Sequence, residues 1–121
     1  MARAALTFDD VLAMCELLPG IEEGMSYGTR AIKVKGKLIV RLKEDDETIV
    51  LKMSFVVRDL LLHEHPEIFF LTDHYRDWPM VLVRLKTANK KQLKELVESA
   101  WRENAPPKLV REYDQGPSVK R

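Results

Sequence analysis

The chain has 121 residues, of which 45% are hydrophobic and 32% are charged. This composition is typical of one globular domain and argues against a disordered chain. The 20 basic and 19 acidic side chains give a formal net charge of +1, which lacks the overall excess of a dedicated nucleic-acid binder. Any interaction with an anionic partner must therefore come from a local cluster of basic residues.

Cysteine content and hydropathy restrict the cellular compartment. The chain has one cysteine, Cys15, so neither an intramolecular disulfide nor a cysteine zinc cluster can form, as is usual in a reducing cytosol. The sequence contains no apolar run of the ~20 residues that a membrane span requires, and it shows no signal-peptide pattern. We expect a monomeric cytoplasmic protein that does not associate with a membrane.

The first predicted element is a helix that begins after Thr7 and ends near Leu18. Thr7 is a favourable N-cap, and apolar residues then recur at helical spacing. Cys15 lies within that apolar stripe, which predicts a buried and unreactive thiol. The Pro–Gly pair that follows ends the helix, and a glycine-containing loop is expected over residues 21–30.

Alternating apolar and basic side chains predict two strands at residues 31–35 and 37–43, hinged at Gly36. A third strand, at residues 48–53, follows an acidic turn at residues 44–47. Alternation with a period of two is typical of antiparallel strands that are packed on one face and solvated on the other. We expect the apolar residues of these strands to face inward and the basic residues to face solvent.

A second helix is predicted over residues 54–63, because Ser54 is a residue type that favours the N-cap. Four apolar residues are predicted to form its buried side. These are Val56, Val57, Leu60 and Leu61. Pro66 ends this segment, and the apolar run at residues 68–71 fits either one turn of helix or an irregular core segment.

The last predicted elements complete the fold class. A strand at residues 80–85 is almost entirely apolar and is therefore predicted to be buried on both faces, and a helix over residues 89–101 begins with a capping box. The order α-β-β-β-α-β-α predicts an α+β fold, a two-layer sandwich of a mostly antiparallel β-sheet with helices on one face. We expect a single domain over residues 1–113 and a flexible C-terminal tail over residues 114–121.

Short motifs in a characteristic order cover most of the chain, from about residue 6 to residue 112. They are Leu18–Pro19–Gly20 with Glu22, Tyr27–Gly28, Gly36–Lys37, His65–Pro66, Tyr75, Trp78, Ala100–Trp101–Arg102 and Ala105–Pro106. Together they resemble the MmcQ/YjbR-like family. The resemblance implies a curved antiparallel sheet backed by helices, similar to the frataxin-like fold, and a DNA-binding protein with a "double wing" arrangement. Tyr27 stands where the family often has tryptophan, which alters any surface built there.

The densest run of one charge lies between residues 30 and 43, where six basic residues occur without an acidic one. They form what we call the basic ribbon: Arg30, Lys33, Lys35, Lys37, Arg41 and Lys43. A two-stranded ribbon fits the major groove of DNA, where its basic side chains would contact phosphates without reading the base sequence. We therefore hypothesise weak or non-specific DNA binding. The alternative is a solvated strand face on which lysines deter aggregation.

The sequence gives no positive support for catalysis or for a bound cofactor or metal. His63 and His65 are two residues apart, a spacing that does not place both on one face of a helix. The acidic run at residues 44–47 lacks the glycine and the twelfth-position glutamate of an EF-hand calcium loop. We predict a protein that is not an enzyme and that holds no cofactor and no metal.

Three aromatic residues, Tyr27, Tyr75 and Trp78, support a rival hypothesis. If folding brings them to one sheet edge, they would line a cleft for a small ligand or a protein partner. The alternative for Trp78, as for Trp101, is a place in the core. Binding in the cleft would depend little on salt and would be lost in Tyr27→Ala, which distinguishes it from DNA binding by the basic ribbon.

Overall fold

The computed structural model describes residues 5–116 of the chain. The helices are α1 (Phe8–Met14), α2 (Phe55–Glu64), α3 (Lys90–Asn104) and α4 (Pro107–Gln115). The strands are β1 (Ile21–Ser26), β2 (Thr29–Val34), β3 (Lys37–Leu42), β4 (Thr48–Lys52), β5 (Phe69–Phe70) and β6 (Met80–Arg84). A short 3-10 helix at Asp73–Tyr75 lies between β5 and β6. Among the described residues, no helix combines the length and apolarity needed to cross a membrane.

The strands form one antiparallel sheet in the order β1-β2-β3-β4-β6-β5. The first four strands pair with their neighbours in the chain, and β6 joins beside β4 after the chain has passed through α2 and β5. All four helices pack against the same face, because each contributes residues to one hydrophobic cluster or lies against it. The predicted two-layer α+β sandwich is confirmed, and the predicted elements occur in the predicted order.

The core lies between this sheet face and the helices. Trp101 of α3 is the largest fully buried side chain, and its Nε1–H donates to the Pro19 carbonyl oxygen at 2.8 Å. Cys15 is buried as predicted, although α1 ends at Met14 rather than near Leu18. Burial raises the pKa of the Cys15 thiol to about 11. A thiol with this pKa stays protonated near neutral pH, so Cys15 contributes to packing and is a poor nucleophile.

Strand β3 departs from the predicted alternation because it contains a β-bulge. Ile32 of β2 pairs with Val40, but the next residue, Lys33, pairs with Leu38, which leaves Ile39 as an extra residue in β3. Ile39 and Val40 consequently both belong to the core, whereas Leu38 lies on the opposite face of the sheet. The inward placement predicted for Leu38 and the outward placement predicted for Ile39 are therefore wrong.

Residues 21–30, which the sequence predicts to be a loop, contain strand β1, its turn and the start of β2. Glu22, Glu23 and Gly24 interrupt any apolar alternation, so the sequence pattern does not reveal the strand. Backbone pairing with β2 forms β1, and its position at the edge of the sheet leaves its polar side chains in water. Only pairing with a neighbouring strand accounts for this element.

Helix α4 is also missing from the predicted elements, because two consecutive prolines predict the end of a helix. Pro107 instead occupies the first turn of a new helix. Backbone N–H groups in the first turn make no intrahelical hydrogen bond, so proline, which lacks this group, is tolerated there. The helix continues through Gln115 and therefore includes the first two residues of the predicted tail at residues 114–121. Gly116 is the C-cap of this helix, and the remaining tail residues, 117–121, lie outside the described part of the chain.

Helix α2 buries a narrower side than the one predicted for residues 54–63. Leu61 is buried as predicted, but Val56 is 80% exposed, and Val57 and Leu60 are also exposed. Arg58 is buried instead, next to Leu61 on the same stripe of the helix. The reason is that α2 packs over β5 and β6 at one edge of the sheet. There, only a narrow stripe of the helix surface contacts the sheet.

Candidate functional site

A cleft of about 210 Å³ opens on the sheet face that the helices do not cover. Arg41 and Val50 lie on its floor, because they alternate along β3 and β4 with residues of the core. The side chains that line it are Tyr27, Leu38, Arg41, Val50, His74, Tyr75, Trp78 and Met80. The three aromatic residues that the sequence singles out therefore line one cleft, which we call the aromatic cleft.

The two exposed walls of the aromatic cleft come from separate turns. Tyr27 and Gly28 have positive φ angles of 51° and 82° and form the two-residue turn between β1 and β2. A turn of this kind matches the twist of a hairpin, and it leaves Tyr27 85% exposed. Trp78 precedes β6 and is 57% exposed. Two large and exposed aromatic side chains thus line the cleft.

Arg41 places a guanidinium group on the floor of the cleft, although the residue is only 5% exposed. Its Nε donates to the Ser26 carbonyl oxygen at 3.2 Å, and its Nη1 lies 3.4 Å from the Tyr75 hydroxyl oxygen. Its Nη2 donates to Glu44 Oε2 at 2.7 Å. The guanidinium carbon also lies 5.2 Å from the centre of the Tyr27 ring, within cation–π range. Arg41 thus links Tyr27 to Tyr75 across the floor.

The anionic partner of Arg41 comes from the exposed turn after β3. The Glu44 side chain is 64% exposed, and its other carboxylate oxygen lies 3.7 Å from Lys43 Nζ. A hydrogen bond from its own backbone N–H, followed by the charges of Arg41 and Lys43, lowers the pKa of Glu44 from its ordinary value of 4.5. Near neutral pH, Glu44 therefore presents a carboxylate to the guanidinium of the aromatic cleft.

A second buried arginine, Arg58 of α2, holds the segment that carries Trp78. Its Nη1 donates to the carbonyl oxygens of Arg76 at 3.0 Å and Trp78 at 2.9 Å, and lies 3.5 Å from that of Tyr75. Its guanidinium carbon lies 4.7 Å from the centre of the Phe55 ring. One side chain thus contacts three carbonyl groups within four residues and supports one wall of the cleft from behind.

The sequence pattern predicts the aromatic lining of the cleft but not the roles of the two arginines. Arg41 is predicted to be an exposed phosphate contact, and no role is predicted for Arg58. A signal for Arg58 exists, because it precedes Leu61 by three residues and therefore shares its face of the helix. The carbonyl groups that Arg58 contacts lie 17 to 20 residues further along the chain, so no local pattern reveals them.

The six residues of the basic ribbon are divided among three places, and Arg30 lies on the helix-covered side. Its guanidinium pairs with Glu23 at 2.7 Å and with Asp9 of α1 at 2.8 Å, and it lies over the Phe8 ring. Hydrogen bonds to Glu23 and Asp9 raise the pKa of Arg30 above its ordinary value. These contacts join Arg30 to the packing of α1 on the sheet.

Three further residues of the basic ribbon, Lys33, Arg41 and Lys43, share the sheet face of the aromatic cleft. Lys33 lies opposite Leu38, which lines the cleft. Arg41 and Lys43 both contact the carboxylate of Glu44. Within residues 5–116, no acidic side chain lies at ion-pair distance from Lys33. This face therefore carries both signs of charge.

The last two residues of the basic ribbon lie away from the aromatic cleft, Lys35 within the β2–β3 turn and Lys37 directly after it. With Arg111 of α4 they line an open groove of about 750 Å³ between that turn and the α3–α4 junction, to which Glu103 also contributes. None of the three basic side chains has an ion-pair partner in the described part of the chain. We call Lys35, Lys37 and Arg111 the basic corner.

The three histidines are not gathered at one place. His74 lines the aromatic cleft, edge-on to the Tyr75 ring at 4.6 Å between ring centres, whereas His65 lies at the end of α2 near Glu67. Over residues 5–116, no three side chains of the metal-ligating types form a group that could hold an ion. The histidines therefore give no site at which a metal could be proposed.

The fold and the cleft together define a two-layer α+β domain with one sheet face covered by helices and the other partly open. A family model described as YjbR matches residues 17–103. Because this match covers well over half of the sequence, the chain belongs to the YjbR family. The resemblance to MmcQ/YjbR-like proteins that the short motifs indicate is confirmed.

Individual proteins that are similar to this chain agree with that family. The uncharacterized proteins Rv2570 of Mycobacterium tuberculosis and Mb2600 of Mycobacterium bovis are each 37% identical to it over 57 residues. That match spans 47% of this chain and 44% of each relative, which is less than half the length of these curated relatives. The crystal structure of Deinococcus radiodurans protein DR2400, a DUF419 domain, aligns with a TM-score of 0.69 at 23% identity, covering 84% of this chain and 80% of that one. This likeness shows the fold.

Proposed function

We propose that this protein is a non-catalytic binding module that holds the aromatic ring of a small ligand in the aromatic cleft. The observation that carries the proposal is that two exposed aromatic side chains, Tyr27 and Trp78, line a cavity that also contains a buried guanidinium. Tyrosine and tryptophan offer a large contact area and few rotatable bonds, so burying them against a ligand costs little conformational entropy. A preformed cleft keeps that cost low.

The dimensions and lining of the aromatic cleft limit the ligand. A cavity of about 210 Å³ is smaller than the ~300–1,000 Å³ of pockets that take drug-sized molecules, so it accommodates a single ring. Leu38, Val50 and Met80 supply apolar contacts, whereas Arg41 and His74 supply polar groups. An apolar lining with a few polar groups that orient the ligand is typical of small-molecule sites.

An NMR titration with p-cresol, a neutral compound with one ring, tests this proposal. The two tryptophan indole N–H signals separate the cleft from the core, because Trp78 lines the cleft and Trp101 is fully buried. We expect a saturable shift of the Trp78 signal and no shift of the Trp101 signal. The affinity should change little with salt, since the ligand carries no charge.

Two variants make the titration decisive. Tyr27→Ala removes one wall of the cleft and should weaken p-cresol binding roughly tenfold, from the lost apolar and ring contacts. Val56→Ala is the matched control, because Val56 is similarly exposed but lies on α2, outside the lining. A Trp78 signal that does not move, or an affinity that Tyr27→Ala leaves unchanged, would contradict the proposal.

The basic side chains without acidic partners favour a second candidate function, weak binding to the phosphates of DNA as the "double wing" resemblance implies. Lys35 and Lys37 would make these contacts at the basic corner, with Lys33 on the neighbouring face. Each neutralised phosphate contributes about 0.9 to the logarithmic salt dependence of duplex binding. Three contacts therefore predict a loss of affinity of roughly 40-fold between about 50 and 200 mM salt.

Fluorescence anisotropy with a mixed-sequence duplex at those two salt concentrations tests the second candidate. The double variant Lys35→Glu/Lys37→Glu should weaken binding and leave a salt dependence of about one phosphate contact. The control is Lys91→Glu/Lys94→Glu, which makes the same charge change at exposed positions of α3. Equal affinities for the two double variants, or no binding at low salt, would exclude the basic corner as a DNA contact.

A further inference from the structure

The guanidinium of Arg41 has three hydrogen-bond partners, and the fold holds two of them in place but not the third. The Ser26 carbonyl belongs to an ordered strand, and the Tyr75 ring is buried. The Glu44 carboxylate, by contrast, reaches the guanidinium from an exposed turn. Within residues 5–116, the one anion that neutralises this buried arginine is therefore the most easily displaced of its partners.

Displacing Glu44 need not leave a buried charge unpaired. A buried guanidinium requires an anionic partner, because an unpaired charge away from water is costly. A ligand carboxylate that enters the cleft can accept the same N–H group, and the released Glu44 returns to water. Lys43 remains within reach of Glu44 after such an exchange, since it lies beside the same carboxylate. The exchange therefore replaces one charge-assisted hydrogen bond by an equivalent one.

We propose that the aromatic cleft selects aromatic carboxylates, with the ring between Tyr27 and Trp78 and the carboxylate on Arg41 in place of Glu44. This inference rests on the proposed function and names the ligand class of the same site. The apolar lining supplies the contact for the ring, and the guanidinium on the floor supplies the charge. Glu44 then acts as an internal competitor that occupies Arg41 when no ligand is bound.

The test compares two probes that differ mainly in charge, 4-hydroxyphenylacetate and its neutral amide, by the Trp78 indole signal. In the unmodified protein the carboxylate should bind only a few-fold more tightly than the amide, because its bond to Arg41 replaces the one from Glu44. In Glu44→Gln the preference should reach about tenfold to a hundredfold, as expected for a hydrogen bond between charged groups. Glu44→Gln keeps the shape of the side chain and removes its charge, so it should tighten binding of the carboxylate severalfold. The same substitution should leave binding of the amide unchanged.

Two controls separate competition at Arg41 from a general effect of charge. Glu47→Gln makes the same chemical change in the same exposed turn, but its side chain makes no described contact with Arg41. It should therefore leave the affinity for the carboxylate unchanged. The preference for the carboxylate should also persist in Lys35→Glu/Lys37→Glu, which removes positive charge from the basic corner.

The outcomes distinguish this inference from the proposed function. If the amide and the carboxylate bind equally well at Trp78, the cleft is a ligand site and the selection of carboxylates is wrong. If Glu44→Gln weakens or does not alter binding of the carboxylate, Glu44 is not a competitor and the inference also fails. If neither probe moves the Trp78 signal, both the inference and the proposed function are overturned.

Discussion

The two faces of the sheet are organised by different physical interactions. The helix-covered face packs residues of all four helices into one apolar cluster around Trp101. The open face has a much smaller apolar cluster, with Val50, Tyr75 and Leu82 at its centre. It depends on two buried arginines, Arg41 on the face itself and Arg58, which reaches the Tyr75–Trp78 segment from α2. Hydrophobic burial is not directional, whereas a guanidinium group bonds in set directions.

This difference accounts for where a binding site can form. The core between the sheet and the helices is filled, and its side chains satisfy one another by packing. At the open face, Arg41 and Arg58 hold backbone and aromatic groups in place without filling the space between them, so the aromatic cleft remains. We therefore expect substitutions on the helix-covered face to change stability and substitutions on the open face to change binding.

The largest expected effect comes from removing a tryptophan from the helix-covered face. Trp101→Ala deletes a fully buried side chain and its hydrogen bond to Pro19, which should reduce the free energy of unfolding by about 3–5 kcal/mol. Urea denaturation followed by far-UV circular dichroism measures this loss. Trp78→Ala on the open face should change stability by only about 0.5 kcal/mol. It should also abolish p-cresol binding, which in this variant is followed by the line widths of the p-cresol signals because the Trp78 indole signal is gone. A large loss of stability in Trp78→Ala together with a small one in Trp101→Ala would contradict the proposed difference between the two faces.

The next effect tests whether Arg58 supports the cleft without lining it. Arg58→Met keeps much of the side-chain volume but leaves the carbonyl groups of Arg76 and Trp78 without this donor. The expected cost is about 1–3 kcal/mol in the free energy of unfolding, together with weaker p-cresol binding because the Trp78 wall is no longer held. Urea denaturation and the NMR titration measure the two effects.

Arg84 provides a matched control for the Arg58 substitution. It also donates to a backbone carbonyl, that of Pro66, and lies over an aromatic ring, that of Phe70, but it is exposed and does not line the cleft. Arg84→Met should therefore leave p-cresol binding unchanged. If Arg58→Met also binds p-cresol normally, Arg58 stabilises α2 without positioning the cleft.

The smallest expected effect is the loss of stability in acid, to which both faces contribute. A hydrogen bond from the Thr7 backbone lowers the pKa of Asp10, one from Arg102 lowers that of Asp114, and the backbone N–H of Glu44 lowers that of Glu44. Each contribution is fully present above the ordinary values of 3.8 and 4.5 and is lost as the pH falls through the lowered values, because the unfolded chain then binds more protons.

The urea midpoint should therefore be nearly constant between about pH 5 and 8 and fall below that range. In Asp114→Asn the decrease should be slightly shallower, since one lowered pKa no longer contributes. A midpoint that rises on acidification would contradict the sign of these shifts. Glu112→Gln in the same helix is the control, because its side chain has no described ion pair with Arg102.

Much of the fold is predictable because burial follows local periodicity. The apolar stripe of α3 and the alternation of Ile49 and Leu51 in β4 each place a segment against the core without knowledge of its partners. The pattern fails at β1, where Gly24 and two glutamates conceal an edge strand, and at α4, where Pro107 starts a helix. In both cases, contacts with another part of the chain decide the structure.

The sequence by itself therefore determined the family, the fold class, the helix-covered face and the aromatic residues of the cleft. Tertiary structure alone decided that the β3 bulge turns Leu38 into the cleft, that Arg41 is buried against Ser26 and Glu44, and that the basic ribbon is divided among three places. The physical reason is the distance along the chain over which each kind of information acts. Periodicity reports burial within one segment, whereas a site depends on which distant groups come within hydrogen-bonding distance.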